Sequence, residues 1–104
     1  MRRGTTPTLT LTIPYEASEI NSGYITFAQD GITILEKELS DEAIVISDQE
    51  IDIYLTQAET LAFKTTGTNR LVRLQCRLKL TTGEVVASNI VEFYVRPILK
   101  DGEI

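Results

Sequence analysis

Leu71-Val72-Arg73-Leu74-Gln75-Cys76-Arg77-Leu78-Lys79-Leu80 alternates from Val72 onward between apolar and polar residues without a break. A strand sends successive side chains to opposite faces, so Val72, Leu74, Cys76, Leu78 and Leu80 share one side. Arg73, Gln75, Arg77 and Lys79 share the other. The first face is read as the spine of a core, and burying its five side chains is worth about 10 kcal/mol before entropy, an upper bound. The second face meets water or a partner.

Around this strand, 104 residues make one domain, and an apolar fraction of 42% with 24% charged residues is that of a folded chain. The formal charge of -5 opposes binding to nucleic acid, and no nucleic-acid partner is expected. Cys76 is the single cysteine, excluding an internal disulfide, and its place on the apolar side reads as a small buried hydrophobe. Met1-Arg2-Arg3 leads into Gly4-Thr5-Thr6-Pro7 without the apolar stretch of a signal peptide, and no run approaches a membrane span. Synthesis in a cytoplasm and no membrane partner are expected.

Residues 1–7 read as a polar, basic arm and residues 8–97 as the domain. Thr8-Leu9-Thr10-Leu11-Thr12-Ile13 alternates cleanly between Pro7 and Pro14, as an edge strand would. Residues 15–23 read as a connection. Residues 24–29 and 32–39 are strand-like, and Asp30-Gly31 between them is the two-residue turn of a hairpin. Residues 43–47 and 51–55 are two more short strands. Thr56-Gln57-Ala58-Glu59 has capping-box spacing, which predicts one or two helical turns that cross between sheets. Residues 64–70 read as a polar loop with Gly67, Thr81-Thr82-Gly83-Glu84 as a tight turn, and residues 85–95 as the last long strand. Residues 98–104 form a tail whose Ile98, Leu99 and Ile104 are too apolar for plain solvent-facing coil. Seven strands with turns about every ten residues predict an all-β, immunoglobulin-like antiparallel sandwich with one short helical turn.

There is no histidine, so Ser-His and Cys-His pairs are ruled out. No catalytic residues, metal ligands or cofactor are expected. Asp48, Glu50 and Asp52 alternate, as do Glu36 and Glu38, and both sets read as solvated strand faces rather than a calcium site or a glycosidase pair. The ribbon of Arg73, Arg77 and Lys79 has two readings. It pairs across strands with Glu36, Glu38 or Glu92, or it meets an acidic partner surface, where Arg73 and Arg77 are the stronger candidates. The tyrosines are scattered.

Arg2-Arg3-Gly4-Thr5-Thr6-Pro7-Thr8-Leu9, Tyr24-Ile25-Thr26-Phe27-Ala28-Gln29-Asp30-Gly31, Leu55-Thr56-Gln57-Ala58-Glu59-Thr60, Ala87-Ser88-Asn89-Ile90 and Ile98-Leu99-Lys100-Asp101-Gly102 together resemble small tail-associated proteins of phages and prophages of Gram-positive bacteria. More distantly, the Thr-rich first strand, the Thr-Phe strand and the Asp-Gly hairpin resemble the N-terminal immunoglobulin-like domain of phage upper baseplate proteins. Those proteins continue into a helical linker and receptor-binding parts that this sequence lacks. The resemblance therefore implies a non-enzymatic accessory or adaptor subunit of the tail or baseplate, oligomeric in the assembly, present in the host cytoplasm and then in the virion. The arm and tail are the expected contacts with other virion proteins, through Arg2, Arg3, Thr5, Ile98, Leu99 and Ile104, with Arg73 and Arg77 beside them. A carbohydrate or host-surface binding module is the alternative, and it would need exposed, clustered tyrosines.

Overall fold

The computed structural model describes residues 1–65 and 70–104, so most of the predicted polar loop around Gly67 lies outside the described residues. Strands β1 (Thr8–Thr12), β2 (Ile20–Gln29), β3 (Ile32–Glu38), β4 (Ile44–Ser47) and β5 (Glu50–Tyr54) precede helix α1 (Gln57–Leu61). Strands β6 (Leu71–Leu80), β7 (Val85–Ala87) and β8 (Val91–Tyr94) follow it. A small sheet in the order β1-β5-β4 packs on a large one in the order β3-β2-β6, with β7 and β8 both paired to the far side of β6. With β7 and β8 taken as one interrupted strand, this is the immunoglobulin-like arrangement, in which β1, β5 and β4 stand for strands B, E and D and the large sheet for C′, C, F and G.

The alternation of β6 has the predicted consequence. Val72, Leu74, Cys76, Leu78 and Leu80 are all buried, and β6 pairs with β2 over most of its length. Opposite them the small sheet contributes Leu11, Ile51 and Ile53. All three phenylalanines meet in this core: Phe27 of β2, Phe63 just after α1 and Phe93 of β8 lie with ring centroids 5.8 to 6.5 Å apart in tilted and edge-on contacts. Asp30 and Gly31 both take positive φ, at 53° and 75°, and join Gln29 to Ile32 as the two-residue turn the sequence predicts.

Two features differ from the sequence reading. Strand β2 begins at Ile20, so the connection after β1 ends four residues earlier than expected and contains a 3-10 turn at Ala17–Glu19. Gly23 thus lies inside a strand, where a Cβ would sit 2.4 Å from the Arg77 carbonyl oxygen; its missing side chain permits this pairing rather than breaking it. The long last strand is split. Lys79 pairs with Val85 and Arg77 with Ala87, but Leu74 pairs with Val91, so the last strand carries one extra residue between these pairings. Ser88 holds that bulge: its amide donates to the Cys76 carbonyl at 2.8 Å, and its hydroxyl accepts from the Cys76 amide at 3.0 Å. Two polar groups take inward positions. Lys37 lies opposite Ile25 on the core side, and Gln29 is buried where its amide side chain clamps the Lys64 backbone from both sides, at 2.9 and 2.7 Å. No helix among the described residues is long and apolar enough to cross a membrane.

Candidate functional site

The two ends of the chain meet around α1. Thr56 caps the helix, its hydroxyl accepting from the Glu59 amide at 3.2 Å, and Glu59 Oε1 accepts the Thr56 amide at 2.9 Å, the reciprocal pair its spacing predicts. The far end of the helix is served by the arm. Arg3 donates from Nη2 to the Leu61 carbonyl at 2.8 Å and from Nε to the Phe63 carbonyl at 3.0 Å, groups that a short helix leaves without partners of its own. Its Nη1 forms an ion pair with Asp101 of the tail. One guanidinium thus fastens arm, helix and tail together, which its rigid fork of donors allows.

The arm backbone is also bonded. Arg2 pairs in parallel with Arg96 just beyond β8, through Arg3 N–H to the Arg96 carbonyl at 3.0 Å and Arg96 N–H to the Met1 carbonyl at 2.8 Å. The Arg2 guanidinium donates to the Pro97 carbonyl at 3.1 Å, and Thr5 closes the turn by donating its hydroxyl to the Arg2 carbonyl at 2.6 Å. Gly4 sits in that turn at a φ of +74°, and a Cβ there would come within 2.8 Å of Ile98 Cδ1. Thr60, fully buried, donates to the Thr5 carbonyl at 2.8 Å.

The tail returns to the helix. The Ile104 amide donates to Gln57 Oε1 at 2.8 Å, while Ile98 is half-buried beside Gly4. Leu99 and Ile104 keep their side chains wholly in solvent. Of the residues expected at an interface, Arg2, Arg3, Thr5, Ile98, Leu99 and Ile104 are therefore gathered at one end, but Arg2, Arg3 and Thr5 spend their polar groups within the chain. Gln57, Thr60 and Asp101 complete the arrangement. They carry no local signal, since each acts through a partner more than forty residues away in sequence.

Arg73 and Arg77 stand elsewhere, on the outer face of the large sheet. Arg73 approaches Glu92 at 3.9 Å with both side chains more than half exposed, a pair of little energetic weight. Arg77 lies between Tyr24 and Ala87, and Lys79 between Ser22 and Val85; neither has an ion-pair partner among the described residues. Glu36 and Glu38 are on β3, one strand further away, with β2 between them and the ribbon. Exposed tyrosines do not converge. Tyr54 is on the small sheet, and Tyr24 and Tyr94 pair with Arg77 and Leu71, six residues or about 20 Å apart along β6.

Asp48, Glu50 and Asp52 lie on or beside β5, with Asp52 accepting the Thr10 hydroxyl at 2.7 Å. Among the described residues no three carboxylates or thiols gather as a metal cluster would, and each of five surface hollows holds at most one carboxylate. Burial pushes the Cys76 thiol up to about 11, so it is a packing group rather than a nucleophile. Compared with protein-family models, with curated proteins and with solved structures, the chain matches none of them.

Proposed function

We propose that the chain is a non-enzymatic structural subunit of a phage virion, an accessory or adaptor in the tail or baseplate, that acts by assembly with other virion proteins. The observation that carries this reading is the anchored tail. Arg3 pairs with the Asp101 carboxylate and Gln57 accepts the Ile104 amide, while the side chains of Leu99 and Ile104 stand fully in solvent. Apolar groups on a backbone already fixed lose less conformational freedom when a partner covers them, which favours binding there over binding by a free tail. The resemblance of the arm, the hairpin, the capping segment and the tail to tail-associated phage proteins supplies the class of partner. On this reading the chain is present in the host cytoplasm during assembly and in the virion afterwards.

Point substitutions test this better than removal of the arm, because the arm closes the end of α1. Particles assembled with Leu99→Asp and Ile104→Asp together should lack the subunit, although the isolated protein keeps its melting temperature. Incorporation at the unaltered level would reject the tail as the assembly surface.

A further inference from the structure

We infer that the open edge of β1 is a second docking surface, which takes one extended strand from a partner protein, apolar toward the sandwich and cationic toward solvent. Leu55 donates to the Pro7 carbonyl at 3.1 Å and Ile13 to the Gln49 carbonyl at 2.9 Å, so the odd-numbered residues of this stretch bond to β5. By the alternation of an antiparallel ladder, the amides and carbonyls of Thr8, Thr10 and Thr12 point the other way, where the sheet ends. The large sheet continues beneath that vacancy. Val91, although it pairs with buried Leu74 on the core side, is 41% exposed, and a groove of about 480 Å³ runs between β1 and Leu74, Val91 and Phe93. The small sheet is one strand short on this side.

Sheet edges are ordinarily blunted against pairing. Edge strand β3 has inward Lys37 and a bulge at Ile34, opposite the Phe27–Ala28 step of β2, β4 has only four residues, and the last strand has its own bulge and the arm beside Arg96. Strand β1 has none of these: it is regular, and the twelve residues from Gly4 to Tyr15 carry no charge. A second copy pairing through its own β1 brings its own Glu50 and Asp52 to the same edge, like charge toward like, whereas a single cationic strand complements them. The charge of the occupant follows from the walls: the small sheet has no cation, while Asp52 and Glu50 lie opposite Thr10 and Thr12. Lysine or arginine at outward positions of the added strand stands one strand away from these carboxylates and is drawn by their field rather than by direct pairing.

The test is titration of the labelled full chain with a seven-residue peptide alternating lysine and valine or leucine, against a peptide of the same composition with the lysines in one block. The alternating peptide should shift the amide resonances of Thr8, Thr10, Thr12 and Val91 and bind about tenfold more tightly than the block peptide, less so in high salt. Thr10→Pro should weaken it about tenfold without unfolding the chain, because the Thr10 amide faces away from β5 and makes no bond among the described residues, and proline is tolerated at such an edge. Val91→Glu is an independent variant expected to weaken it from the other wall. Equal binding of the two peptides, shifts confined to another face, or no shift at millimolar peptide would overturn the inference. Shifts of Thr8, Thr10 and Thr12 on concentrating the chain alone would assign the edge to a second copy instead.

Discussion

Lys37 Nζ lies 2.6 Å from Glu59 Oε2, so an edge strand of the large sheet is joined to the capping box of α1 by a pair in which the lysine is only 7% exposed. Asp41 adds a weaker contact at 3.9 Å. Glu59 thereby does two things with one carboxylate: one oxygen closes the helix start and the other neutralises a lysine that faces the core. Partial burial acts to raise its pKa, but the hydrogen bond and charge of Lys37 and the bonds from Thr56 outweigh that and leave it lowered.

Substitution at this pair should be costly singly and less so together. Lys37→Met leaves Glu59 without its cation, and Glu59→Gln keeps a capping acceptor but leaves Lys37 with Asp41 alone; each should lose about 2–3 kcal/mol in urea denaturation. The double substitution should lose less than the sum, the difference being the coupling. The depressed carboxylate also predicts a pH dependence. Its stabilisation is complete above the unfolded value near 4.5 and is lost as pH falls through the lower native value. Glu59→Gln should accordingly show a shallower loss of stability below that pH than the unaltered chain.

Arg3 is the corresponding fastener at the other end of α1. Arg3→Lys should fail to restore what Arg3→Ala removes, because one ammonium cannot reach the Leu61 and Phe63 carbonyls and Asp101 in the same fork. Nuclear relaxation of the amides of residues 99–104 reads this directly: both variants should show a more mobile tail. A tail as rigid as before in Arg3→Lys would mean that the Gln57 contact to Ile104 suffices.

How much of this was legible depends on the range of the interaction. The core face of β6, the Asp30-Gly31 turn and the Thr56-Glu59 box are local patterns, and each stands where its spacing predicts. Lys37 was not legible, because an inward lysine looks like any polar residue of an imperfect alternation until Glu59 is brought to it by the chain's return. The extra residue between Ala87 and Val91 was hidden for a similar reason: only pairing with β6 decides that Ser88, rather than the next residue in alternation, faces Cys76. At the candidate assembly surface, the apolar tail could be read from Ile98, Leu99 and Ile104. That Arg2, Arg3 and Thr5 bond within the chain could not.

Gly23 offers a test of the register of the large sheet. Its ideal Cβ lies 2.4 Å from the Arg77 carbonyl oxygen and 3.0 Å from Leu39 Cδ1, both closer than van der Waals contact. The first of these neighbours is backbone and cannot swing aside. Gly23→Ala should therefore destabilise by about 2–3 kcal/mol, the reverse of the usual gain from replacing glycine in a strand. A melting temperature equal to that of the unaltered chain would place β2 in a different register on β6.

Cys76 lies at the middle of the central strand β6. Buried at 0% exposure between Leu74 and Leu78, its thiol keeps its proton up to about pH 11, whereas in the unfolded chain it ionises near 9.0. Between these values the unfolded state sheds a proton that the native state retains, so stability falls as pH rises. Cys76→Ala removes that penalty along with the sulfur's packing. At neutral pH the variant should be less stable by about 1 kcal/mol, and the deficit should shrink as pH is raised from 9 toward 11. Every other group is common to both chains and cancels in the difference. Alkylation of the native protein at pH 8 should be slow and should track unfolding, since a reagent reaches the thiol only when β6 leaves the core. A fast reaction under native conditions, or a deficit that does not shrink with pH, would place Cys76 on the solvent side and shift the alternation of the whole strand by one residue.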